Sequence, residues 1–238
     1  MSVISCYSSH MRTRLRLVLC GGLVAGALAV TLVAQTPGVH PISGRRFAPV
    51  MGWQGADWLE RHEREDEENP DAAIGALKIA TGASVADIGA GSGYMTMKLS
   101  ARVGPTGTVY ANDIQPQMLQ MLAGRLASRK ITNVVLVQGT LDDPKLPESS
   151  VDLAMMVDVY HELSQPQAML RHLRASLKPG GRLVLLEYRK EDPSIPIKLE
   201  HKMTLAEAKM EVEAEGFTLA KVDEVLPRQH ILIFTVTP

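Results

Sequence analysis

The stretch Ser84-Val-Ala-Asp-Ile-Gly-Ala-Gly-Ser-Gly-Tyr94 decides the fold. Val85, Ala86 and Ile88 form a short apolar strand that runs into Gly89, Gly91 and Gly93, each separated by one residue. Beyond them Met95, Leu99 and Val103 recur every four residues, the spacing of one helix face. Strand, glycine turn and helix in this order lay a nucleotide-like ligand across the carboxyl end of a parallel sheet. The glycines supply positive φ and let the backbone approach the ligand with no Cβ in the way.

The details select the ligand. A dinucleotide turn reads G-x-G-x-x-G, with a pyrophosphate at the helix N-terminus. Here the turn reads G-x-G-x-G and follows Asp87, whose carboxylate would repel a pyrophosphate and suits an ammonium group. A second strand, Gly107-Thr-Val-Tyr-Ala-Asn-Asp113, ends in an acid 20 residues after Gly93, where a ribose diol is normally held. An amino-acid moiety, a ribose and no pyrophosphate describe S-adenosylmethionine (SAM).

Four blocks in order carry a resemblance to the class I SAM-dependent methyltransferases. They are Val85–Gly93, Tyr110-Ala-Asn-Asp-Ile114, Val151-Asp-Leu-Ala-Met-Met-Val-Asp158 and Leu177-Lys-Pro-Gly-Gly-Arg-Leu-Val184. The resemblance covers roughly residues 70 to 238 and is nearest to the small-molecule branch that includes quinone-biosynthesis methyltransferases. It implies SAM as cofactor, S-adenosylhomocysteine (SAH) as product and a small-molecule acceptor. For the cofactor it implies a set of Asp87, Gly89, Gly91, Gly93, Asp113, Ile114, Asp142 and Asp158.

The chain has 238 residues, 45% hydrophobic and 21% charged, which fits one domain plus a tail. A net charge of −1 with scattered Lys and Arg excludes the basic footprint of a nucleic-acid binder. Cys6 and Cys20, both near the N-terminus, are the only cysteines, so no disulfide, thiolate metal site or cysteine nucleophile is expected in the folded domain. Arg12, Arg14 and Arg16 precede an uncharged, mostly apolar run, Leu17 to Ala34. Residues 1–34 therefore read as a secretory signal or an uncleaved membrane anchor. This predicts an exported or tethered domain, and a cytoplasmic one if the segment is not a signal. Export raises a rival to catalysis, a SAM- or SAH-binding sensor or partner module, because SAM is made in the cytosol.

Residues 35–69 read as an irregular Pro- and Gly-rich linker followed by an N-terminal helix with the dense charge run Glu60-Arg-His-Glu-Arg-Glu-Asp-Glu-Glu68. That helix is either a solvated face with pairs such as Glu60–Arg64 or a lid over the cofactor cleft, with Trp53 or Trp58 near the ligand. From 70 onward helix and strand alternate. Strands are expected at 84–88, 107–112, 134–138, 151–157, 181–188, 222–226 and 230–237. Helices are expected at 72–80, 94–103, 115–128, 166–177 and 204–215. This is an α/β, doubly wound, mostly parallel seven-stranded sheet. Only Pro227-Arg-Gln229 joins the last two strands, which must form an antiparallel hairpin.

Candidate chemistry gathers at strand ends. Asp87 either orients the glycine turn or receives the ligand's ammonium. Asp113 can accept both ribose hydroxyls. In Gln138-Gly-Thr-Leu-Asp-Asp-Pro144 the resemblance implies an adenine contact, preferably Asp142, although an Asx turn before Pro144 is an equal reading. Asp158-Val-Tyr-His-Glu162 follows the strand that faces the methyl group in the family. His161 is the candidate general base, Tyr160 a wall or hydrogen-bond donor, and Asp158 a cofactor contact. The alternative is that His161 and Glu162 cap the next helix. His161-Glu-Leu-Ser-Gln165 lacks the second histidine of H-E-x-x-H, which excludes a zinc protease, and the sequence reading assigns no metal ligands. Glu187, Arg189 and His201 lie after the fifth strand, where they meet a polar substrate or sit in a solvated loop.

Overall fold

The computed structural model describes residues 38–237. The expected signal or anchor at 1–34 lies outside the described residues. Among those described, no helix is long and apolar enough to cross a membrane.

The elements in chain order are α1 (Ala56–Leu59), α2 (Arg64–Glu68), α3 (Pro70–Ala76), β1 (Ser84–Ile88), α4 (Tyr94–Val103), β2 (Thr108–Asp113), α5 (Pro116–Ser128), β3 (Val134–Gln138), β4 (Val151–Val157), α6 (Pro166–Ser176), β5 (Leu177–Tyr188), α7 (Leu205–Glu213), β6 (Phe217–Asp223) and β7 (Gln229–Val236). They build one sheet of order β3-β2-β1-β4-β5-β7-β6. β3, β2, β1, β4 and β5 pair in parallel. β7 runs antiparallel to both β5 and β6, giving the expected closing hairpin.

The central strands β1, β4 and β5 are buried on both sides, as a parallel sheet wrapped by helices requires, while the edge strands β3 and β6 are partly exposed. Period-two alternation divides each central strand between two cores. In β4, Leu153 and Met155 join Leu77, Leu99 and Val103 of the α3/α4 side, while Ala154 and Met156 join Leu170, Leu173, Val212 and Phe234 of the α6/α7 side. α5 buries Met118, Leu122 and Leu126, the predicted stripe. α7 opens on a capping box in which Thr204 and Glu207 satisfy each other's backbone N–H groups.

Several bounds differ from the sequence reading. α3 starts earlier, because Asn69 caps it by accepting from Ala72 N at 3.2 Å with Pro70 in the first turn. It ends earlier too, and Lys78 adopts φ +48°. β5 begins at Leu177, which pairs with Val151 before a register shift. β6 starts at Phe217 rather than Val222. Asp223 ends it by accepting from Val225 N at 3.1 Å, and Leu226 is buried outside the strand.

The expected linker is packed where it is described. Val39 and Arg46 form a β-bridge, and His40, Arg45 and Ala48 are buried. Arg45 Nε donates to Glu211 Oε1 of α7 at 2.8 Å, and Arg45 Nη1 donates to the His161 carbonyl at 2.9 Å. Ala48 N donates to the same carbonyl at 3.1 Å. Residues 38–50 thus form a hook that fixes the turn after β4.

Candidate active site

A cavity of about 620 Å³ opens at the carboxyl ends of β1, β2 and β4. This is the crevice where a doubly wound sheet takes its ligand. One end is built by the glycine turn and the strand-end acid. Gly89, Gly91, Asp113 and Ile114 line it, together with Met118 and Leu141. Gly91 sits at φ +55°, and a Cβ there would come within 2.6 Å of Leu59 Cδ1. Gly93 caps α4 at φ +94° and a side chain there would overlap Leu122, so this glycine serves packing rather than the cavity wall.

Asp113 is buried at the cavity edge. Its Oδ2 accepts from Gly91 N at 2.9 Å and its Oδ1 from Gln115 N at 2.8 Å. A carboxylate offers about four acceptor sites, so capacity remains for a ligand hydroxyl. Burial raises its pKa, opposed by these backbone N–H groups.

Asp87 lies off the cavity. Its Oδ2 accepts from Thr96 Oγ1 at 2.6 Å, tying β1 to the first turn of α4. This is the turn-orienting geometry, without direct reach to a ligand. Burial pushes its carboxyl up to about 6.

Asp158 does line the cavity. It takes φ +53°, a left-handed conformation of the kind that persists where the surroundings enforce it. Its Oδ2 accepts from Gln229 Nε2 at 2.7 Å, while Oδ1 is buried with no partner among the described residues. Burial, then Glu68 and Glu187, hold this carboxyl well above the usual range.

Besides Asp87 and Gly93, two more expected residues do not reach the cavity. Asp142 turns its carboxylate onto Thr140 Oγ1 at 2.7 Å, leaving Thr140 and Leu141 on the wall in its place. Tyr160 is fully buried in the core, with the Arg45 guanidinium 5.4 Å from its ring centroid. It cannot wall or hydrogen-bond a substrate.

The other end of the cavity is assembled around His161 and Glu162, on a 3-10 turn at Tyr160–Glu162, and His201, on a second such turn at Leu199–His201. His161 Nδ1 lies 2.6 Å from Glu187 Oε2, and Glu187 Oε1 accepts from Tyr160 N at 2.9 Å. His161 Nε2 lies 3.2 Å from His201 Nδ1. Burial disfavours the imidazolium, but the Glu187 carboxylate outweighs it and holds the His161 pKa above its ordinary value. Burial likewise pushes the Glu162 carboxyl up to about 7. Arg189, the third candidate after the fifth strand, points elsewhere and donates to Glu224 Oε2 at 2.7 Å.

The charge run closes one side of the cavity instead of forming a solvated helix face. Trp58, Leu59, Arg61, Arg64 and Glu68 line the wall. Arg64 pairs with Glu68 at 2.5 Å rather than with Glu60, which binds Arg125 and Ser92. Tyr188 Oη donates to Glu68 Oε1 at 2.8 Å. Gln115 is a contact the sequence reading missed. Its side chain accepts from Trp53 N at 2.9 Å and donates to the Met51 carbonyl at 3.0 Å. Its position two residues past Asp113 was the only available signal.

This sheet order, with a glycine turn after β1 and a free-edged acid after β2, defines the class I methyltransferase architecture. Residues 85–181 match the methyltransferase domain family, which marks this stretch as a SAM-dependent methyltransferase domain. It is 35% identical over 120 residues to the ubiquinone/menaquinone biosynthesis C-methyltransferase UbiE of Hahella chejuensis, covering 50% of this chain and 47% of the relative. The Pseudomonas putida enzyme of the same name is 34% identical over 113 residues, covering 47% and 44%. The chain thus spans about half the length of these curated relatives. Among solved structures it is similar to a SAM-dependent methyltransferase from Aquifex aeolicus, with TM-score 0.75 and 24% identity over 79% of this chain and 100% of that one. A TehB-like SAM-dependent methyltransferase from Corynebacterium glutamicum gives TM-score 0.58 and 16% identity, over 78% and 98%.

Proposed function

We propose that the protein binds SAM in the cavity and transfers its methyl group to a small, largely apolar acceptor bearing a weakly acidic hydroxyl. One observation carries this reading: a single cavity joins a cofactor-shaped end to an end holding a carboxylate-backed histidine. The residues present fit the cofactor. Gly89 and Gly91 line the cavity at positive φ with no room for a side chain, Asp113 has spare acceptor capacity for a ribose hydroxyl, and the unpartnered Asp158 Oδ1 suits an ammonium. Ile114, Met118 and Leu141 supply apolar surface for a purine.

Bound SAM supplies an electrophilic methyl, so the protein's main task is to place the nucleophile in line with it. Glu187 accepts the Nδ1 proton of His161, which leaves the Nε2 lone pair to take a proton from the acceptor hydroxyl. Met51, Leu163, Met169 and Ile197 give that end an apolar wall. The lid residues Trp58 and Leu59 limit water entry. Similarity to the quinone C-methyltransferases supports a quinol-like ring as acceptor.

Titration calorimetry with SAM, SAH and NAD tests the cofactor. SAM and SAH should bind and NAD should not. Asp113→Ala should weaken SAH binding by about 1.5–3 kcal/mol, the range for hydrogen bonds to charged groups. A variant that titrates like the wild type removes the ribose assignment. A methyl-label screen against quinols and phenols then tests the acceptor class.

A further inference from the structure

We infer that His161, His201 and Glu162 form a binding site for a first-row divalent transition-metal ion on the acceptor wall of the cavity. Their ligand atoms, His161 Nε2, His201 Nδ1 and a Glu162 carboxylate oxygen, all lie within 4.8 Å of one another. The two nitrogens are 3.2 Å apart. Two imidazole nitrogens on one zinc ion, each at ~2.0–2.1 Å in tetrahedral geometry, sit about 3.3 Å apart. The imidazole planes are inclined at 80°, so the rings meet edge-on rather than stacked. Glu162 Oε1 is 3.8 Å from His201 Nδ1, a gap that a shared ion would close by a small side-chain rotation.

The surroundings have the second layer that metal sites need. A ligating histidine generally donates its other ring N–H to a carboxylate, which fixes the tautomer. Glu187 does this at His161 Nδ1, and its second oxygen is held by Tyr160 N. The main chain is held as well. The His161 carbonyl accepts from Arg45 and Ala48, and His201 N donates to the Lys198 carbonyl at 3.0 Å. The nearby charge favours a cation. Glu187 is buried against His161, and the guanidiniums of Arg45 and Arg64 are paired with Glu211 and Glu68, although Lys198 also lines this wall.

Two imidazoles and one carboxylate suit zinc, iron, cobalt or nickel better than magnesium or calcium, which prefer all-oxygen sets. Three protein ligands on a cavity wall leave a coordination position open to the cavity, the arrangement of reactive rather than structural sites. An acceptor hydroxyl is the group this position would take, its proton passing to solvent. The ion would use the same Nε2 lone pair assigned above to proton transfer, so the two roles exclude each other in a given molecule. Ion binding itself does not rest on the methyl-transfer reading.

The test uses the full chain without a histidine tag, stripped by chelator and titrated with Zn(II) and, separately, Co(II). Titration of SAH in parallel reports folding. One ion per chain is expected, with visible Co(II) absorption of a nitrogen–oxygen site. His161 is buried, so its removal risks the fold; His201→Ala and Glu162→Gln are the informative variants. Both should keep SAH binding, and His201→Ala should lose at least ~100-fold in Zn(II) affinity. Glu187→Gln should lose about 10–100-fold, the effect of removing an outer carboxylate. Absence of ion binding in a chain that still binds SAH would overturn the proposal. So would ion binding unchanged in His201→Ala, which would place the ion elsewhere, for example at Cys6 or Cys20. An ion lost in His201→Ala from a chain that never binds SAH would leave this site standing and remove the cofactor reading.

Discussion

The cofactor end of the cavity is built mostly from one continuous stretch, Gly89 to Met118, whereas the acceptor end gathers Met51, His161, Glu187 and His201 from four separate segments. In the first case the geometry is local. Glycine spacing, a strand end and a helix start fix where the backbone N–H groups and Asp113 lie. In the second case each group is held by something distant in sequence: the hook at 38–50 pins the His161 carbonyl, and β5 supplies Glu187. The cofactor end should therefore respond to backbone changes, and the acceptor end to side-chain and packing changes.

The largest effect should come from breaking the local geometry. Gly91→Val puts a β-branched residue at φ +55° with its Cβ only 2.6 Å from Leu59 Cδ1. SAH binding should be lost while circular dichroism remains that of a folded chain. A thermal-shift assay that still shows a normal SAH stabilisation would refute the glycine-turn argument. Next in size is His161→Gln, in which the amide can keep a bond to Glu187. It should leave SAH affinity intact and slow methyl transfer by about 10²–10⁴-fold, the usual loss of a general base. Loss of both together would mean that the two ends are not separable.

Asp87→Asn tests a third, smaller effect on the cofactor side. The folded pKa of Asp87, about 6, lies above its ordinary 3.8. The folded state therefore keeps a proton that the unfolded state releases. Stability from this group is present below about pH 4 and is lost as pH rises through about 6. At about 1.4 kcal/mol per pH unit, the loss is at most of order 3 kcal/mol. Asn can still accept from Thr96, so the variant should unfold later in urea than the wild type at pH 7 and no later at pH 4. Parallel stability–pH curves for the two proteins would sink this account.

The same contrast explains what was legible in the sequence. The strand, glycine turn and Asp113 carry their geometry in local spacing, and Gly89, Gly91 and Asp113 line the cavity; Asp87 and Gly93 of the same block instead hold the turn and pack against Leu122. Tyr160 and Asp142 were one or two residues from the cavity, but a 3-10 turn and an Asp–Thr contact aim them away. The charge run at 60–68 fits a solvated face as well as a lid, because nothing local shows that Tyr188 and Arg61 will bury Glu68. The metal-ligand set was invisible to motif spacing, since His201 lies 40 residues beyond His161 on another turn. Arg45 and His40 in a Pro- and Gly-rich stretch gave no sign of their α7 partner, Glu211.

Gln115 offers the finest test of the comparison, because it belongs to one region and holds the other. Its backbone N–H binds Asp113 at the cofactor end. Its side chain clamps Met51 and Trp53, whose segment continues into the acceptor wall and the lid. Gln115→Leu keeps the backbone bond to Asp113 and removes both side-chain bonds. Each is a neutral, partly solvated bond of about 0.5–1.5 kcal/mol, and part of the loss falls on the ordering of the segment rather than on the ligand. SAH affinity should therefore fall only a few-fold. The Michaelis constant for the acceptor should rise by more than the SAH dissociation constant, because Met51 lines the acceptor wall. Proteolytic cleavage near Met51 to Trp53 should also become faster. If SAH affinity falls as far as in Asp113→Ala while acceptor binding is unchanged, Gln115 acts only through the cofactor end and the clamp has no functional weight.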